Sequence, residues 1–323
     1  MIWRVFWMER NKEKNFISVV LYLYNKEQEI SVFLPKLYAM LEDNFLNFEI
    51  ICVNDDSKDQ SREAVKKFAG QVRGKAVISL IDMSVYQGRE AAMNAGVELA
   101  IGDYVFEVDY FEKLDGLLEQ FMAVYNKAME GYDIVSLVPE NQRWSRRSSL
   151  FYMLYNRFSK GAQKLYPELF RLASRRAINR MHALGKSIPY RKALYANCGL
   201  LQTKIECSLP LSNRLSFEKY EHRNRADTAV DALILFTDAV TKLALFISIC
   251  FLAVSLLIGV YVFYVYFFGR RPVEGWTPIM LFLSLSFLGL FFVLAIVLKY
   301  LSLLINLVFK RRQYLIKGIE KLS

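Results

Sequence analysis

The sequence predicts an α/β domain on an open, mostly parallel sheet, followed by a pair of membrane-spanning helices. Three observations carry that expectation. Short β-branched and aromatic runs alternate with amphipathic helical patterns as far as Leu137. Two apolar stretches near the carboxyl end, Leu243 to Phe268 and Ile279 to Leu298, reach the roughly 20 residues that cross a bilayer. Hydrophobic residues make up 54 % of the 323, more than soluble enzymes usually carry.

Phe16 to Tyr22 is a run of strand length. A turn at Tyr24-Asn25-Lys26-Glu27 follows, then apolar positions Ile30, Phe33, Leu34, Leu37 and Leu41 at helical spacing. Phe48 to Val53 is a second strand, followed by an Asp-rich turn and a helix with Ala64, Val65, Phe68 and Val72 inward. Ala76 to Ile81 is a third. A helix through Met93 and Val97 then leads by the Gly102-Asp103 turn into a fourth strand, Tyr104 to Val108, and Ile134 to Leu137 is a fifth. Such alternation argues for parallel strands covered on both faces. Ser145 to Lys164 mixes Arg with aromatic residues, as on a helix lying at an interface or on an ordinary surface. Arg223 to Lys242 reads as an amphipathic helix with Asp227, Asp231 and Asp238 on one face.

The expected division is an α/β cytoplasmic domain over 1–222, a juxtamembrane helix over 223–242, two spans within 243–309 (about 243–268 and 279–298) and a basic tail over 310–323. Lys and Arg number 42 against 32 Asp and Glu. In a membrane protein this excess points to cytoplasmic flanks and anionic lipid, with no nucleic-acid partner. Lys310, Arg311, Arg312, Lys317 and Lys321 after the second span outnumber Arg270 and Arg271 between the spans. Both termini are therefore expected in the cytoplasm, at the cell's inner membrane. Met1 to Asn15 does not resemble a cleavable signal peptide. Cys52, Cys198, Cys207 and Cys250 have no ligand spacing and read as reduced packing residues. His182 and His222 are isolated.

Asp109 closes the fourth strand, at the end of an open α/β sheet where ligands bind. Gly88-Arg89 opens a helix where Gly permits close backbone approach and Arg can meet a diphosphate. Asn25, Glu27, Asp55 and Ser57 stand on loops of the same rim, as polar partners for a base and ribose or, for Asp55 and Ser57, as turn and cap residues. Arg146, Arg147, Arg171 and Arg175 suit phosphates, or reflect the positive bias of a membrane-facing surface.

In this order, Ser18-Val19-Val20-Leu21-Tyr22-Leu23-Tyr24-Asn25-Lys26-Glu27, Val53-Asn54-Asp55-Asp56-Ser57-Lys58-Asp59, Gly88-Arg89-Glu90-Ala91-Ala92-Met93-Asn94-Ala95-Gly96, Gly102-Asp103-Tyr104 and Phe170-Arg171-Leu172-Ala173-Ser174-Arg175 resemble family-2 glycosyltransferases. The nearest branch is the polyprenyl-phosphate sugar transferases, which resemble dolichyl-phosphate mannose synthase and carry a carboxyl-terminal membrane hairpin. The resemblance implies a GT-A fold, Rossmann-like with a mixed sheet, and an inverting transfer from a UDP- or GDP-linked sugar. The implied acceptor is polyprenyl phosphate or a lipid-linked glycan, in cell-surface polysaccharide or glycoconjugate synthesis. Mg²⁺ or Mn²⁺ is the implied cofactor, and a homo-oligomer is compatible with it. It places nucleotide-sugar contacts at Tyr24, Asn25, Glu27, Asp55, Ser57, Gly88 and Arg89, and phosphate contacts at Arg146, Arg147, Arg171 and Arg175. Asp109 would hold the metal, and Glu168 would act on the acceptor.

Two positions depart from the family. The metal motif Asp-x-Asp reads Asp109-Tyr110-Phe111, and Phe cannot ligate a hard cation. Strand alternation sends Glu107 to the same side as Asp109, a substitute Glu-x-Asp pair, while Glu112 lies beyond. The general-base Asp before Phe170 is replaced by Leu169, with Glu168 one residue earlier. A phosphate acceptor is already ionised and tolerates that loss. The alternative is a degenerate transferase that serves as a binding or assembly partner.

Overall fold

The computed structural model describes residues 12–72, 76–111, 116–140, 146–159, 163–184, 190–208, 239–268, 276–309 and 314–322. The amphipathic helix expected over 223–242 therefore falls largely outside the described residues, as does Glu112.

The first strands form where β-branched and aromatic residues run together. They are β1 (Ile17–Leu23), β2 (Phe48–Asn54), β3 (Val77–Met83), β4 (Tyr104–Val108) and β5 (Ile134–Pro139). Between them lie α1 (Glu27–Asn44), α2 (Ser61–Gln71), α3 (Arg89–Leu99) and α4 (Glu119–Met129). Every residue of β1 and β2 is buried, as a strand covered on both faces requires. Ile17, Val19 and Leu21 join one core with α1 and α4, while Val20 and Tyr22 join the other with α3. Gly96 lets α3 approach that second face, because a Cβ there would run into Val20 and Val53.

The eight strands order as β7-β5-β6-β4-β1-β2-β3-β8. The central set β4-β1-β2-β3 is parallel. Beyond β4 come α5 (Arg146–Phe158), β6 (Phe170–Ser174), α6 (Arg175–Leu184), α7 (Arg191–Ala196) and β7 (Gln202–Cys207). β6 is antiparallel to both β4 and β5, which makes the sheet mixed. Residues 316–321, read as part of a basic tail, enter the sheet. β8 (Ile316–Lys321) pairs antiparallel with β3 and forms its outer edge. Its exposure alternates along the strand, with Ile316, Gly318 and Glu320 half-buried and Lys317, Ile319 and Lys321 exposed.

The chain falls into two compact units. The sheet domain includes the carboxyl-terminal strand, and a helical unit comprises Leu150–Lys160 and Ala229–Arg311. That second unit contains α8 (Ala239–Phe268) and α9 (Trp276–Phe309), of 30 and 34 residues. Gly289 of α9 sits against the ring of Phe251 in α8, where a Cβ would not fit. Counting only the described side chains, no helix is long and apolar enough to cross a membrane.

A candidate active site at the carboxyl rim of the sheet

Two loops at the ends of β1 and β2 are joined by their own polar groups. The Ser57 hydroxyl accepts from the Asn25 N–H at 3.1 Å, and the Asn25 carbonyl oxygen Oδ1 accepts from Lys58 N at 2.8 Å. Glu27 Oε2 accepts from Gln60 N at 3.3 Å, and Asp59 Oδ2 accepts from Glu27 N at 3.0 Å. Asn25 and Asp56 adopt left-handed φ values of 51° and 55°, conformations that short polar side chains tolerate in tight turns.

Asp55 takes up the structural role, one of the two expected for it. It is fully buried, and its two oxygens accept from Gln87 N at 2.8 Å, Gly88 N at 2.9 Å and the Tyr22 hydroxyl at 3.1 Å. Burial pushes its carboxyl up, and those three donors oppose the shift. It therefore fixes the backbone that opens α3. Gly88 there has φ 86°, which a side chain would strain. Arg89 lies over the Tyr110 ring at 3.8 Å and near the Tyr22 ring at 5.0 Å, a cation held against two aromatic faces.

Beyond this loop, at the tip of β4, a cluster of charges surrounds Asp109. Arg191, the first residue of α7, is nearly wholly buried and presents its three guanidinium nitrogens to three carboxylates. Nη2 donates to Asp109 Oδ1 at 2.7 Å, Nε to Glu90 Oε2 at 3.1 Å, and Nη1 to Glu107 Oε2. The Tyr195 hydroxyl, one helical turn on, donates to the other Glu107 oxygen. Burial alone would raise the Asp109 pKa, but Arg191, Lys192, Arg89 and Arg171 pull it well below the usual carboxylate range. The surrounding cations thus favour the charged form of Asp109.

Glu107 is corrected by this geometry. Both its oxygens are engaged, so it forms no metal pair with Asp109. Phe111, where the family has its second carboxylate, packs on Phe33 at 4.9 Å between ring centroids. Among the described residues no group of three or more His, Cys, Asp or Glu is placed to hold an ion. Asp109 Oδ1 is occupied by Arg191, while no hydrogen bond among the described residues engages Oδ2. A divalent cation at this point would take a single protein ligand, Asp109, and would draw its others from substrate phosphate oxygens, as Mg²⁺ commonly does.

The predicted phosphate ligands separate. Arg171 pairs with Glu107 across β6 and β4, which brings it to the rim. There its Nε and Nη2 both reach Glu168 Oε2 at 2.9 Å. That pairing makes Glu168 the anchor of Arg171 through Oε2, while no hydrogen bond among the described residues engages Oε1. Arg175 lies at the opposite end of the sheet, because β6 runs antiparallel to β4, and it donates to the Gly102 carbonyl. Arg146 and Arg147 open α5, and their side chains lie outside the described residues. Glu90, Arg191, Lys192 and Tyr195 were missed by sequence reasoning. Their only sequence signal is Arg191 and Tyr195 four apart, on one helical face.

The fold defines the class first. The mannosyltransferase PcManGT from Pyrobaculum calidifontis, solved with GDP-Man and Mn²⁺, superposes on 69 % of this chain and 64 % of its own with a TM-score of 0.51 at 15 % identity. The domain is a GT-A-type mixed α/β fold. Residues 18–187 match glycosyl transferase family 2, and the chain belongs to that family, whose members are transferases. It is 25 % identical to the Bacillus subtilis glycosyltransferase YkcC over 94 % of both chains. It is 30 % identical to the undecaprenyl-phosphate 4-deoxy-4-formamido-L-arabinose transferase of Aeromonas hydrophila over 43 % of this chain, a match spanning 42 % of that relative's length.

Proposed function

We propose that this chain is a membrane-anchored inverting transferase that moves a sugar from a UDP- or GDP-linked donor to a polyprenyl phosphate at the cytoplasmic leaflet. The observation that carries the reading is Asp109, ionised at the rim with Oδ2 unengaged, between the pinned Gly88 loop and the Arg171 side of the sheet. The donor lies toward β1, β2 and β3, across the joined loops with Tyr24, Asn25, Glu27 and Ser57 and beside Gly88 and Arg89. Asp109 would hold Mg²⁺ or Mn²⁺, which supplies the positive charge that the diphosphate needs on leaving. The chain's own charges near Asp109 are already matched, with Glu90, Glu107, Asp109 and Glu168 opposing Arg89, Arg171, Arg191 and Lys192. An acceptor phosphate oxygen forms the new bond to the anomeric carbon while the bond to the donor's diphosphate breaks, its electron pair leaving with the nucleotide. No proton need be removed from the acceptor, since a phosphate is ionised at neutral pH. The engagement of Glu168 with Arg171 is therefore compatible with turnover.

Membrane anchorage is supported by the apolar sequence of α8 and α9 and by the exposure of their large side chains, such as Phe246, Leu257, Phe267 and Phe291. Exposed apolar residues on this scale mark contact with lipid or protein. The undecaprenyl phosphate in the name of the Aeromonas relative supports the acceptor class. The test uses membranes holding the full chain, labelled UDP- and GDP-sugars and undecaprenyl phosphate. A labelled glycolipid is expected, stopped by chelation and lowered about 100-fold or more by Asp109→Asn, the scale on which a lost charge-stabilising group acts. Absence of product with every donor overturns the reading.

A further inference from the structure

Two cationic side chains near Asp109, Arg171 on β6 and Lys192 on α7, hold donors that no described group uses. Arg171 is 2 % exposed, with its guanidinium carbon 4.5 Å from the centre of the Tyr195 ring. Two of its nitrogens are taken by Glu168, and the third, Nη1, is buried with no hydrogen-bond partner. Native interiors rarely leave such a donor unmatched. Lys192 is also buried, and among the described residues it makes no hydrogen bond or ion pair. It lies in the combined field of Glu168, Asp109, Arg171 and Glu90, and burial lowers its pKa despite the carboxylates nearby.

The sheet order gives this pair a direction. Gln87 and Gly88 are pinned from β2, on one side of β4, whereas Arg171 lies on β6, on the other. A donor nucleotide on the first side leaves the second for whatever receives the sugar. A neutral hydroxyl would not require two cations here, whereas a phosphomonoester offers acceptor oxygens to an Arg fork and to a lysine point charge together. We propose that Arg171 Nη1 and Lys192 Nζ form the seat of the acceptor's phosphate, with a lipid phosphomonoester as its ligand. This rests on the transferase reading above and adds the residues that choose a phosphate over an alcohol.

The test reads binding, so that it does not depend on turnover. The full chain in detergent is titrated with farnesyl phosphate and with farnesol, and separately with UDP and GDP. Wild type is expected to favour the phosphate by about tenfold or more, the scale of one charge-assisted contact. Lys192→Met removes that preference, Lys192→Arg keeps most of it, and nucleotide affinity stays at the wild-type value in both. Lys192→Gln serves as a second neutral variant should the Met variant fail to fold. Equal binding of phosphate and alcohol to wild type overturns the proposal, as does a preference that survives neutral variants. Loss of UDP or GDP affinity with the preference intact also overturns it and assigns the pair to the donor. A lasting phosphate preference with no glycolipid from any sugar nucleotide would sink the transferase reading alone.

Discussion

A guanidinium carries three nitrogens in one plane, and Arg191 turns each toward a different carboxylate, Glu90, Glu107 and Asp109. Buried charges of this kind tolerate no partial removal, since each carboxylate left without a cation costs several kcal/mol. Arg191→Met is expected to lower unfolding stability by about 3–5 kcal/mol, read from denaturant midpoints of the full chain in detergent. Arg191→Lys should recover little of it, because one ammonium cannot reach three carboxylates across a plane. A Lys variant as stable as wild type would show that charge alone, not the fork, holds the rim. The placement of Asp109, Gly88 and Arg89 at the strand and helix ends was legible from sequence because strand ends and glycine turns are local chemistry. Arg191 was not, since it lies 82 residues from Asp109 in a segment with no clear period. Asp55 shows a subtler limit. An Asp in a turn after a strand satisfies both the ligand and the structural reading, and only the Gln87 and Gly88 amides on its oxygens decide between them.

The same contrast holds among the strands. β1 to β5 announced themselves as apolar runs, and β4 was placed at Tyr104–Val108 from the sequence alone. β6, β7 and β8 read Phe-Arg-Leu-Ala-Ser, Gln-Thr-Lys-Ile-Glu-Cys and Ile-Lys-Gly-Ile-Glu-Lys, short segments whose charges hide the period. Their pairing comes from the neighbouring strands, β6 between β4 and β5 and β7 and β8 at the two edges, and not from local preference. β8 also reaches the donor side of the rim. The Gln87 side chain donates to the Leu315 carbonyl at 2.8 Å and accepts from Leu315 N at 2.7 Å, while Ser84 N donates to the same carbonyl at 2.9 Å. The Gly88 loop is thereby held by Asp55 from below and by the carboxyl-terminal segment from the side. Removing residues 314–322 is expected to weaken UDP or GDP binding about tenfold, the effect of losing two or three hydrogen bonds that order a loop. Glu320→Gln provides the control. It breaks pairs with Arg62 and Lys66 that are one-third or more exposed, and such pairs contribute little. Calorimetric titration showing equal affinity in the truncated and full chains would detach β8 from the site.

At the level of the whole molecule, the chain leaves the sheet domain before α8 and rejoins it as β8 after α9. If α8 and α9 both cross the bilayer, two crossings return the chain to its starting side, and β8 can pair with β3 only there. Strand pairing thus requires both ends of the helical pair to lie on the sheet domain's side, and only the cation count after the second helix favours the cytoplasm as that side. Cysteine labelling in intact cells tests it. Cys52, Cys198 and Cys207 are buried, and burial pushes the Cys52 thiol up to about 12, which leaves it almost without reactive thiolate at neutral pH. Cys250 is exposed on α8 and is replaced by Ser to give a silent background. Pro272→Cys, in the stretch between the helices, should then react with a membrane-impermeant maleimide from outside. Ser208→Cys, on the exposed end of β7's side of the domain, should react only after the membrane is opened. The reverse pattern would place the sheet domain outside, away from cytoplasmic nucleotide sugars. Labelling of both positions from outside would remove the crossings themselves and leave α8 and α9 as a surface-bound pair.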